Sequence, residues 1–209
     1  MSRGWRGAPA AVLILVGLWP SSAFAQTSRT VGVHLGMVRA EQLWDDPVRG
    51  TRSNGFTIGI GVDVPTPVPA FSGRAGVGYV QRGSGVWDRE LDPDGVAKRN
   101  VRSHYLSVPL EAKVGRGIGP VSLYLVAGPV IDLLLDTQCS QDLCPLLEEE
   151  RPMLLNATIG AGLAIPLQER LWADVEIRLT EGLTSGYSTA GTGLRYRSVE
   201  AVVRTRFPF

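Results

Sequence analysis

Ser103 and His104 are adjacent in "VRSHYLSVPL", and serine beside histidine is the raw material of a nucleophile–base pair. The surrounding residues alternate between apolar and polar, the period of a β-strand, so neighbours point to opposite faces and the two cannot cooperate. The other histidine, His34, shares a face with Gly32 and Gly36, where it reads as filler rather than as a base. Glu111 with Lys113, and Asp174 with Glu176 and Arg178, sit two apart on single strands. They could be acid–base or gating groups, but their mixed signs suit a salt-bridge network. Cys139 and Cys144, in "DTQCSQDLCP", lie in a polar stretch and are expected to form a local disulfide. Neither histidine lies near them, so a metal centre is not expected. Glu148, Glu149 and Glu150 read as a solvated edge, with cation binding or a metal bridge to lipopolysaccharide as the alternative. No phosphate loop, zinc spacing or nucleophile elbow is present, and no catalytic residue and no cofactor is expected.

The segments that must position these residues announce themselves by period. In "LWADVEIRLTEG" (171–182), Leu171, Ala173, Val175, Ile177 and Leu179 alternate with Trp172, Asp174, Glu176, Arg178 and Thr180. Eight such strands are expected, over about 29–40, 54–64, 71–86, 101–114, 121–135, 153–165, 171–182 and 194–209. Short turns at 65–70, 115–120 and 167–170 alternate with longer polar stretches at 41–53, 87–100, 136–152 and 185–193. Short turns at one end and long loops at the other describe an outer-membrane barrel. No stretch after the N-terminus is long and apolar enough for a transmembrane helix, but barrel strands cross with only about 9–11 residues each.

In a soluble protein the charged face of each strand would meet water; in such a barrel it lines the lumen. Glycine decides. Gly59, Gly61, Gly76, Gly78, Gly160 and Gly162 all fall on the polar faces. On a solvated surface they would only weaken the strands, whereas inside a narrow barrel they make room for large neighbours. The polar faces carry Asp63, Arg74, Glu111, Lys113, Asp174, Glu176, Arg178, Glu200 and Arg204, signs that can pair across a lumen. The expected fold is all-β, a closed eight-stranded antiparallel transmembrane β-barrel, with the first strand paired to the eighth because lipid tolerates no open edge.

The ends of the sequence carry addressing signals. Arg3 and Arg6, the apolar run "APAAVLILVGLW" and Ala23-Phe24-Ala25 have the layout of a secretory signal peptide, expected over 1–25 with the barrel over 26–209. Losing Arg3 and Arg6 takes the 21 lysines and arginines to 19 against 20 acidic residues, a balance that excludes bulk attraction to nucleic acid. Neither cysteine follows the signal segment, so no lipoprotein anchor is expected. The terminal "RFPF" places Phe207 and Phe209 on the face of Ala201 and Val203, suited to an interfacial girdle. A C-terminal Phe also resembles the signal that hands outer-membrane barrels to their insertion machinery.

"YLSVPLEAKV" (105–114), a Gly-rich turn and "LYLVAGP" (123–129) together resemble the central hairpin of the PorT-like outer-membrane β-barrel domain family. The resemblance implies an eight-stranded barrel of a Gram-negative outer membrane, and no reaction. Function is then expected to be structural or surface-interacting and non-enzymatic, with outer-membrane lipid and the barrel insertion machinery as partners. A surface ligand would meet the charged loops 87–99 and 136–151. The alternatives are a narrow pore or secretion accessory, a lipid-modifying enzyme, and a soluble periplasmic barrel whose apolar faces turn inward around a ligand.

Overall fold

The computed structural model describes residues 28–43, 49–68, 70–87, 99–139, 151–185, 187–189 and 192–209. The segment 1–25 expected to be a signal peptide and the Glu148–Glu150 run lie outside these residues, as do Cys144 and the side chain of Cys139. The strands are β1 (Thr30–Leu43), β2 (Arg49–Pro65), β3 (Phe71–Trp87), β4 (Arg99–Ile118), β5 (Val121–Cys139), β6 (Met153–Gln168), β7 (Leu171–Gly182), β8 (Tyr187–Thr189) and β9 (Thr192–Pro208). Strands β1 to β7 pair antiparallel in sequence order, and β9 follows β7. β9 then pairs back to β1, from Thr30↔Pro208 to Leu43↔Arg195. The sheet is therefore a closed barrel of eight staves. The short β8 is an addition that pairs with the start of β9 in the last hairpin.

The polarity of the wall is reversed relative to a soluble protein. Val175 and Ile177 are 47% and 63% exposed, while Asp174 and Glu176 between them are 0% and 3% exposed. β6 alternates in the same way from Met153 to Ala164. Hydrocarbon solvates an apolar side chain as well as a protein core does, so burial no longer draws these residues inward. The soluble barrel with an apolar interior is thus not the fold that forms.

Aromatic side chains lie toward both ends of the apolar wall. Phe71, Phe207 and Phe209 are exposed at the end that carries the turns. Phe56 faces outward nearer the loops, and its ring lies 5.2 Å from that of Tyr79. From Phe56 to Pro65, β2 climbs about 23 Å at a rise of about 3.3 Å per residue and a tilt of about 40°, close to the height of an outer-membrane apolar band.

The strands run further than the hydrophobic pattern suggests. β4 reaches Ile118, so the connection expected over 115–120 shrinks to Gly119-Pro120, with Ile118 paired to Val121. Gly119 has φ of +60°, the left-handed value that a type II′ hairpin asks of its first central residue. On the loop side β1, β3 and β5 continue to Leu43, Trp87 and Cys139. Strand pairing needs only backbone partners, whereas apolar alternation stops where the outer face leaves lipid. The pattern therefore measured the membrane, not the strand.

Candidate functional site

The inward faces stack as layers along the barrel axis, and the lowest ionic layer centres on Asp63. Its carboxylate meets Arg74 Nε at 3.0 Å, Arg204 Nη1 at 3.1 Å, Lys113 Nζ at 3.3 Å and Arg206 Nη1 at 3.8 Å. Arg74 also donates to Glu176 at 2.8 Å, and β3 and β7 are diametrically opposed in the eight-stave order. That one bond crosses the lumen. Glu176 further accepts from Tyr124 Oη at 2.8 Å and pairs with Arg178, which reaches Glu111 at 3.4 Å. Asp174 takes Arg206 at 2.6 Å.

Nearer the loops, Arg82 pairs with Asp132 and reaches Glu200 at 3.4 Å, while Asn156 donates to Asp132 at 2.6 Å. Interleaved with that layer is an apolar cluster: Val38 is the register partner of Glu200 and Leu154 that of Asp132. Val38, Ala40, Val80, Tyr105, Leu154 and Tyr196 form a buried cluster, with the Tyr105 and Tyr196 rings edge-on at 6.1 Å. β4 and β9 are also opposed, so this cap spans the lumen a second time.

Among the described residues the buried charges balance. Arg74, Arg82, Lys113, Arg178, Arg204 and Arg206 face Asp63, Glu111, Asp132, Asp174, Glu176 and Glu200. Buried charge without a partner costs several kcal/mol per ion, roughly offset when each ion is paired and hydrogen-bonded. Tyr124 adds a face to the network: Lys113 Nζ lies 4.1 Å from its ring centroid. At the turn end the lumen opens as a cavity of about 230 Å³ whose lining includes Lys113, Tyr124, Trp172 and Arg206. Between the ionic layers remains a space of about 20 Å³, room for about one water.

The structure brings all nine charged residues expected on the polar faces into this lumen. Sequence reasoning missed Arg82, Asp132 and Arg206, although each keeps the parity of its strand's polar face. Their signal was there: Arg82 follows Ser72, Arg74 and Gly78 in even steps, and Arg206 follows Glu200 and Arg204. Ser103 and His104 diverge as expected. Ser103 is buried within 3.4 Å of Tyr196 Oη, and His104 faces the outer wall, hydrogen-bonded to Tyr79. His34 is half-buried in the lumen beside Gly59, where an added Cβ would sit 2.6 Å from its ring. Among the described residues no cluster of His, Cys, Asp and Glu could hold a metal.

A family model for the outer membrane protein beta-barrel domain matches residues 24–187. The chain belongs to this family. Its place is the outer membrane, where barrels of this kind set their short turns on the periplasmic side. OprG from Pseudomonas aeruginosa is a solved structure of like fold: TM-score 0.55 at 8% identity, covering 87% of this chain and 96% of that one. Ail from Yersinia pestis (TM-score 0.46, 14% identity, 86% of this chain and 99% of that one) is similar. So is Neisserial surface protein A (TM-score 0.45, 14% identity, 86% and 97%). No curated protein matches the sequence.

Proposed function

We propose that this member of the family is a non-enzymatic, non-conducting barrel that anchors its long loops, 87–99 and 136–151 above all, at the cell surface for interaction with a ligand there. The observation that supports it is the double closure of the lumen, by the Arg74–Glu176 bond and by the Tyr105–Tyr196 cap. A transport barrel would need a hydrated path, and narrow eight-stranded barrels are filled by their own side chains. Reconstituted in planar bilayers at moderate voltage, the protein is expected to give no conductance steps. Steady steps from the wild-type chain would overturn the reading in favour of a pore.

Three finer assignments complete the proposal. The Tyr105–Pro129 hairpin supports a PorT-like place within the family, and the N-terminal layout supports cleavage after Ala25. The spacing of Cys139 and Cys144 supports a disulfide tying the 136–151 loop. Protein purified without reductant is expected to resist thiol alkylation under denaturing conditions and to take up two alkyl groups per chain after reduction. Equal alkylation before and after reduction would rule the bridge out.

A further inference from the structure

The outer wall carries an arginine cluster on the loop side of Phe56 that neither the fold nor the filled lumen requires. At the seam where β9 meets β1, outward side chains from four adjacent strands form one row: Glu181 on β7, Arg197 on β9, Glu41 on β1 and Arg52 on β2. The register places Glu181 opposite Arg197 and Arg197 opposite Glu41. Arg197 Nη2 lies 3.0 Å from Glu181, and Arg52 Nε lies 2.8 Å from Glu41. Arg39 faces outward one step closer to the membrane, between Val199 and Asn54, and Arg195 one step further out, opposite Leu43.

Among the described residues, four arginines thus stand beside two carboxylates, of which Arg52 and Arg197 are paired with them. Each guanidinium carries five N–H donors, and the carboxylate contact of Arg52 or Arg197 uses one nitrogen of each; their side chains are 59% and 42% exposed. Exposed pairs of this kind contribute little to stability, so their donors are readily shared with an incoming anion. Beneath the cluster the wall is smooth and apolar: Leu35, Met37, Val199 and Val203 are all exposed. Met37 pairs with Phe56, so Arg39 stands about 5 Å beyond that pair toward the loops.

We propose that this seam is a binding site for the phosphates of a diphosphorylated glycolipid of the outer leaflet, with its acyl chains lying along Leu35, Met37 and Val199. The span favours two phosphates over one. Arg197 and Arg52 stand two strand spacings apart, about 10 Å, which a single phosphate does not bridge and a phosphorylated disaccharide does. Arginine suits the task because its planar fork matches phosphate oxygens bidentately.

The test is native mass spectrometry of the full chain released from micelles holding diphosphorylated lipid A, the same lipid dephosphorylated, or phosphatidylglycerol. The wild type is expected to retain diphosphorylated lipid A about tenfold better than either other lipid, the worth of one or two arginine–phosphate contacts. The Arg39→Gln/Arg52→Gln/Arg197→Gln variant is expected to lose that preference while keeping heat-modifiable migration, the mark of a closed barrel. Arg170→Gln, at the turn-side rim, is expected to keep it. If the triple variant fails to fold, Arg39→Gln alone serves, because Arg39 forms no ion pair among the described residues; it is expected to lose part of the preference. Equal retention of all three lipids by the wild type, or a preference that survives these substitutions in folded protein, would overturn the proposal.

Discussion

Asp63→Ala is expected to destabilise the folded barrel by about 3–5 kcal/mol, the usual cost of removing one partner from a buried ionic cluster. The reason is local charge. Arg74, Lys113, Arg204 and Arg206 all converge on this one carboxylate, which is wholly buried. Its loss leaves cations facing one another inside a wall that admits no counter-ion from the lipid side. Urea titration of the barrel in vesicles, read by heat-modifiable migration, measures the change. Asp63→Asn keeps the shape and some hydrogen bonds, so it is expected to fall between wild type and alanine. Adding Arg204→Met to Asp63→Ala should recover part of the loss, because it removes one of the stranded cations; the two changes are then far from additive. A midpoint unchanged by Asp63→Ala would mean that water fills the lumen and screens the cluster.

The second large effect is expected at Gly162. A Cβ built there would stand 2.5 Å from both Cζ and Oη of Tyr124, a distance no methyl group tolerates. The ring cannot easily withdraw. Lys113 lies over its face and its hydroxyl is bonded to Glu176. Gly162→Ala is therefore expected to cost about 2–4 kcal/mol, from overpacking together with the lost bond to a buried carboxylate. Replacing the obstructing ring should relieve it: Gly162→Ala with Tyr124→Val is expected to be more stable than Gly162→Ala alone. If the double variant is instead the less stable, the glycine serves some purpose other than room for Tyr124.

These two sites differ in how readily they can be read from the amino-acid order. Asp63 stands out because it is the one charge between Phe56 and Pro65, and period-two parity assigns it to the inner face at once. The need for Gly162 to be small is legible only as a class. Six glycines on polar faces imply large neighbours, but which glycine faces which ring depends on register. Ala164, Gly162 and Gly160 pair with Ser122, Tyr124 and Val126, and nothing in the chain before folding states that alignment.

The same division holds for the molecule. Alternation, glycine placement and the rhythm of short and long connections determined by themselves that the strands close into a barrel with charges within and apolar residues without. These are properties of single strands and of neighbours in sequence. Tertiary structure alone decided that Arg74 bonds Glu176 across the diameter, that Tyr105 and Tyr196 cap the loop end, and that Arg39, Arg52 and Arg197 gather at one seam. Each of those meetings joins strands far apart in the chain. Their pairing follows from the stagger with which the sheet closes, a quantity that no strand carries alone.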